Sequence, residues 1–197
     1  MNQGQKRITL ATKLRRPYKG VAKIFGRYWR TYGGSRALLV SPYLHVSVVL
    51  LCLLYPIWFD PSWWELPISV MPSVLGFSLG GYAIWLAIGD DRFRQIVAKT
   101  DEGEPVSMFM SVNASFVHFI VLQFASILLA LLGASVAPDT PMPSGPAVTL
   151  IILGGIGFLV FLYALMAALA ALMAIFRMAS LYEVHINHSD DGSGESK

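Results

Sequence analysis

The chain has 197 residues, 55% of them hydrophobic and only 14% charged, with a formal net charge of +3 and a mean hydropathy of +0.57. Ordinary soluble domains carry about 25% charged residues, so a soluble globular protein is excluded, and a lone cysteine excludes a disulfide framework. We expect an all-α polytopic membrane protein with four transmembrane helices and an N-terminal amphipathic interfacial helix.

The chain opens with a basic segment, residues 1–36, read as cytoplasmic or interfacial. Val21, Ile24, Phe25, Tyr28, Trp29 and Tyr32 recur at the spacing of one helical face, and Lys19, Lys23, Arg27 and Arg30 fall on the opposite one. Such a helix lies flat on the inner leaflet, its apolar face in the acyl boundary and its basic face on anionic lipid. Basic residues interleaved with aromatics also suit nucleic acid, but no nucleic-acid module accompanies them, so lipid is the expected partner.

Four windows then lack Asp, Glu, Lys and Arg altogether: 37–59, 66–89, 105–138 and 140–176. Each exceeds the roughly 20 residues that cross a ~30 Å hydrocarbon core as a helix, and lipid tolerates only segments that satisfy their own backbone. They form a four-helix transmembrane domain, 37–176, with spans near 38–59, 68–88, 109–134 and 147–176, followed by a cytoplasmic tail, 177–197, disordered at its end from Ser189. The first window does not look like a cleaved leader and is expected to be retained. Of the fifteen Lys and Arg residues, ten precede the first window, three follow the second and two follow the fourth. That segregation places both termini in the cytoplasm by the positive-inside rule.

Within the first window Cys52 is expected to be a buried apolar thiol, and His45 is a polar exception. The connection 60–65 carries Trp63 and Trp64, with Trp58 nearby, and suits an aromatic belt at the outer water interface. In the second span Ser69, Ser73, Gly76 and Gly80 share a face, and in the fourth Gly154, Gly157, Ala164, Ala168 and Ala171 do the same. Both stripes are read as helix-packing or oligomer surfaces.

Gly76 to Gly80 also spells GxSxG, with Ser78 at the serine of the hydrolase nucleophile elbow. The elbow requires a strand-to-helix turn, which a membrane helix does not offer. A Ser78–His118 dyad is geometrically allowed, because each lies about ten residues from the inner end of its span and so near mid-depth, but no oxyanion hole accompanies it. The inner connection after the second span is charged and is read either as a solvated hairpin or as a surface for a cytoplasmic partner. In the third window Asn113, His118 and Gln123 are polar exceptions. His118 shares a face with Ser111 and Ser115, a stripe that either lines a pore or bonds another helix. The second outer connection, 137–146, has four prolines in ten residues and is expected to be irregular. His185, His188, Asp190 and Asp191 are metal-ligand types on a tail without a second cluster, so no metal and no cofactor are expected.

The run PSVLGFSLGGYAIWLAIGDDRF at 72–93 resembles the second span and inner loop of small four-span bacterial inner-membrane proteins, some similar to membrane subunits of antiphage defence systems such as the Kiwa type. The resemblance covers about a tenth of the chain. It implies a bacterial inner membrane and a cytoplasmic partner, and brings no catalytic residues. The expected function is that of a non-enzymatic, homo-oligomeric membrane sensor, anchor or effector subunit. A channel or membrane-permeabilising pore and an intramembrane serine hydrolase are the alternatives.

Overall fold

The computed structural model describes residues 10–87, 91–100, 103–104, 106–136 and 148–194, with side chains described between 18 and 184. The expected irregular connection 137–146 and the side chains of His185, His188, Asp190 and Asp191 lie outside this description. The described residues form eight helices and no strand: α1 (Leu10–Tyr32), α2 (Gly34–Val40), α3 (Pro42–Leu53), α4 (Tyr55–Trp58), α5 (Glu65–Ala87), α6 (Asp91–Ala98), α7 (Met108–Val136) and α8 (Val148–Gly194). Helices α5, α7 and α8 are long and apolar enough to cross a membrane, and a fourth crossing is available if α2 and α3 count as one.

The first charge-free window departs from the single helix expected of it. Gly33 and Gly34 adopt φ of +101° and +65°, a left-handed region that other residues enter only at a cost. They turn the chain out of α1. A second break follows at Ser41-Pro42, where α2 and α3 meet at 53°. Proline has no N–H, so the carbonyl of Leu38 takes the Ser41 N–H at 3.2 Å. The carbonyl of Leu39 is met by His45 Nε2 at 2.9 Å. His45, an exception to the apolar pattern, thus stitches the bend. Cys52 is exposed rather than buried, because α3 packs on α8 with a different face, through Leu50, Leu51 and Leu54.

Helices α7 and α8 pack along each other, α5 lies on α7, and α3 lies on α8. Two clusters fill the bundle. One holds Trp63, Met71, Ala130, Phe158, Phe161, Leu162 and Ala164. Trp63, expected at a water interface, is only 6% exposed. Its indole lies against the glycine faces of α7 and α8, where a Cβ on Gly133 would come within 2.7 Å of it and one on Gly157 would overlap its ring. No other residue type leaves room for an indole there, and burying it outweighs leaving it at an interface.

The second cluster holds Trp85, Val112, Phe116, Phe119, Ala171 and Met178 together with Phe93 and Val97 of α6. The charged connection is therefore not simply a solvated hairpin. Helix α6 docks its apolar side, with Phe93 edge-on to Tyr182 at 4.8 Å between ring centroids, and Arg94 Nη2 donates to the Leu86 carbonyl at the end of α5 at 3.1 Å. Helix α8, which runs on to Gly194, supports this cap through Met178 and Tyr182. Its 47 residues are about 70 Å long at 1.5 Å per residue. Phe93, 3% exposed, carries the docking. Phe93→Ala is expected to cost about 3–5 kcal/mol and to speed amide exchange in α6 while α3 and the Trp63 end keep their protection.

Candidate functional site

A polar cluster joins α1, α7 and α8. Its four groups form one hydrogen-bonded chain: Tyr28 hydroxyl to His118 Nδ1 at 2.6 Å, His118 Nε2 to Tyr163 hydroxyl at 3.2 Å, and Tyr163 hydroxyl to Tyr32 hydroxyl at 3.2 Å. Tyr32 also stacks on the imidazole, with ring centroids 3.8 Å apart and planes at 18°. Because Tyr28 and Tyr32 are four residues apart, they share a face of α1 and take His118 between them, one at its edge and one on its plane. His118 is 5% exposed, and two polar partners make its burial tolerable.

Burial, reinforced by the nearby Tyr163, pushes the Tyr28 hydroxyl from 10.0 up to about 12, and Tyr32 is raised as well. An undocked α1 ionises near the unshifted value, so docking keeps its full strength below pH 10 and weakens as pH climbs through 12. Tyrosinate absorbance on alkaline titration should accordingly show a class of tyrosines ionising about two units late.

Beside the cluster, where α2 bends into α3, is a crevice of about 350 Å³ lined by Tyr32, Ala37, Val40, Ser41, Pro42, Tyr43, Ser115, His118, Tyr163, Ala167, Ala170 and Ala171. Tyr32, Tyr163 and His118 lie together in its lining, Ser41, Tyr43 and Ser115 add hydroxyls, and the other residues are small or apolar. Among its lining residues there is no formal charge.

The expected polar stripe separates in three dimensions. Ser111 is exposed, Ser115 is half-buried with its hydroxyl donating to the Ser111 carbonyl at 3.1 Å, and only His118 turns fully into the bundle. Nor do Ser78 and His118 meet. The Ser78 hydroxyl donates to the Val74 carbonyl and accepts from Gln123 Nε2 at 2.9 Å, while both nitrogens of His118 go to tyrosines. Asn113 ties α7 to α5, accepting from the Tyr82 hydroxyl at 2.9 Å. The polar residues of the third window thus bond three different helices.

The two small-residue stripes also diverge. Gly154 and Gly157 of α8 are covered by Trp58 and Trp63, Ala164 and Ala171 are buried, and Ala168 is partly so. Ser69, Ser73, Gly76 and Gly80 of α5 are all exposed, and nothing lies within 4 Å of a Cβ built on either glycine. On α1, Lys19, Lys23, Arg27 and Arg30 are exposed, as are Val21, Ile24 and Phe25 on its apolar face.

Nothing in the sequence pattern marks Tyr163, although it is the only tyrosine of the fourth charge-free window. Tyr28 and Tyr32 were assigned to lipid with the rest of the α1 apolar face. Among the described residues no group of three or more His, Cys, Asp or Glu is placed to hold a metal. No protein-family model, curated protein or solved structure matches the chain.

Proposed function

We propose that this chain is a four-span bacterial inner-membrane protein with cytoplasmic termini, acting without catalysis as a membrane sensor or effector subunit for a cytoplasmic partner. The observation that carries this reading is the grip of α1 on the bundle through Tyr28, Tyr32, His118 and Tyr163. Helix α1 has an exposed basic face, and of its apolar residues Val21, Ile24 and Phe25 are free for the inner leaflet while Tyr28 and Tyr32 tie it to the two longest apolar helices. A change in leaflet charge or packing that draws on α1 therefore pulls on α7 and α8. Helix α6, docked on the same end of the bundle, carries exposed charge where a cytoplasmic partner would read the result. The exposed small stripe of α5 is left for contact with a second copy. Neither the pore nor the hydrolase has a comparable observation in its favour. The resemblance of 72–93 to antiphage subunits gives the setting, phage defence, and deleting the gene in its host should raise phage plating. Unchanged plating would remove that setting and leave the sensor reading in place.

The sensor reading is tested by electron–electron distances between spin labels at Gly20→Cys and Gln95→Cys in a Cys52→Ser background. The distance should shift when phosphatidylglycerol replaces phosphatidylcholine in the vesicles. Identical distributions in both bilayers would overturn it.

A further inference from the structure

The hydrogen-bonded chain beside the crevice has one proton more than it uses. Tyr28, His118, Tyr163 and Tyr32 bring four polar hydrogens when neutral, and three bonds link them. The direction of the chain decides where the extra proton sits. A phenol is a strong donor and weak acceptor, and an imidazole nitrogen the reverse, so the short 2.6 Å contact is a Tyr28 O–H donating to His118 Nδ1. The ring hydrogen then sits on Nε2 and is donated to Tyr163, and Tyr163 donates to Tyr32. That leaves the Tyr32 O–H, and Tyr32 is a wall of the crevice. Of the other hydroxyls in the lining, Ser115 gives its hydrogen to the Ser111 carbonyl, while Ser41 and Tyr43 stand at the bend between α2 and α3. The crevice therefore presents the Tyr32 donor beside the hydroxyls of Ser41 and Tyr43, no formal charge in its lining, and small apolar residues beyond, in a volume within the roughly 300–1,000 Å³ of ligand sites.

Depth and charge narrow the ligand. In a four-span arrangement the packing of Trp63 against Gly133 marks the outer end of α7. His118 is fifteen residues further in, about 22 Å along the helix in a core ~30 Å thick. The polar end thus lies toward the inner boundary, where acyl ester carbonyls sit, and not at the mid-depth that counting from the inner end of the span gives. Arg36, exposed, immediately precedes the wall residue Ala37, and no Asp or Glu occurs before Asp60. We infer that the crevice binds one anionic phospholipid of the inner leaflet. Its ester carbonyl accepts the Tyr32 hydrogen, one acyl chain lies along Ala37, Val40, Ala167 and Ala170, and its phosphate is met by Arg36. This rests on the inner-leaflet role given above to α1, and it assigns that role a bound ligand.

Native mass spectrometry of the full chain in detergent, titrated with phosphatidylglycerol or phosphatidylcholine, tests the site. The wild type should hold one phosphatidylglycerol per chain about tenfold more tightly than phosphatidylcholine. Ala170→Trp, which fills the crevice, should weaken that first lipid at least about tenfold. Tyr32→Phe should weaken both lipids about fivefold, the worth of one hydrogen bond. Arg36→Gln, an exposed change that leaves the fold intact, should lose about fivefold for phosphatidylglycerol alone. A first lipid held equally well by Ala170→Trp, or equal affinities for the two lipids in the wild type, would overturn the proposal. The two readings separate. If the spin-label distance responds to phosphatidylglycerol while Ala170→Trp keeps its lipid, the crevice falls and the sensor stands. If the crevice binds but the distance does not move, the sensor falls and the crevice stands.

Discussion

Gly157→Ala should destabilise the protein severely, while Gly76→Ala, the same change in the other small-residue stripe, should leave the folded monomer intact. The contrast comes from what faces each glycine. A Cβ on Gly157 would overlap the indole of Trp63, and one on Gly154 would stand 2.8 Å from the backbone carbonyl of Trp58 and 3.2 Å from the Trp63 ring. The indole cannot withdraw, because Gly133 of α7 closes on its other side. Overpacking of this kind costs about 1–3 kcal/mol and more where nothing yields, so Gly157→Ala belongs at or above the top of that range. Nothing lies within 4 Å of a Cβ on Gly76 or Gly80, and alanine there gains helix propensity. Thermal unfolding in detergent reads the difference, with Trp63→Leu as the partner substitution. Trp63→Leu alone should lose several kcal/mol of packing, about 3–5 being usual for emptying an aromatic site. Combined with Gly157→Ala it should cost less than the sum, because the smaller side chain gives up the space that the methyl takes. Strict additivity would mean that the two residues do not meet. If Gly76→Ala were as damaging as Gly157→Ala, the α5 stripe would be covered by something in the detergent particle, and a second copy would be the first candidate.

These stripes show how far the sequence can be read. Both present small residues at three- and four-residue spacing, and that pattern says only that a backbone is able to approach. Which stripe is occupied depended on Trp63, a residue that the same reading sent to the membrane interface because tryptophan prefers it. The all-helical character and the long apolar helices were legible because the absence of charge over more than twenty residues has few other physical explanations. The bend in the first window was not, although Pro42 signals a break there, as Gly33 and Gly34 do just before it. Hydropathy averages over them. The docking of α6 was masked for the opposite reason. Its charges dominate the composition of the connection, while two residues, Phe93 and Val97, carry the contact. Of the candidate site, His118 was visible as a costly polar residue in an apolar run. Its partners were hidden. Tyrosine is ordinary on an amphipathic helix, and only the fold brings residues 28, 32 and 163 to one imidazole.

The hydrogen-bonded clamp gives the second large effect. In Tyr28→Phe/Tyr32→Phe the helix keeps its length, its charge and both rings, but His118 Nδ1 and the Tyr163 hydroxyl each lose a partner in a buried setting. Each group left unsatisfied costs about 1–3 kcal/mol. That cost falls on the docked state of α1 alone, since an undocked α1 leaves the same groups equally unpaired in both proteins. Trypsin reports the docking equilibrium when opening and closing are fast relative to cleavage. Cutting within α1, at Lys23, Arg27 and Arg30, should therefore accelerate about 5–150-fold per lost bond. Arg92 and Lys99 on or beside α6 serve as an internal control, because the packing of Phe93 and Val97 does not involve the clamp. His118→Leu should release α1 to a similar degree, by removing the acceptor, the donor and the stacked ring together. Equal acceleration at α1 and α6 would indicate loosening of the whole bundle rather than release of one helix. Unchanged cutting at α1 would mean that its remaining contacts with α7 suffice to hold it, and the route from inner leaflet to bundle would then have to be sought outside these four residues.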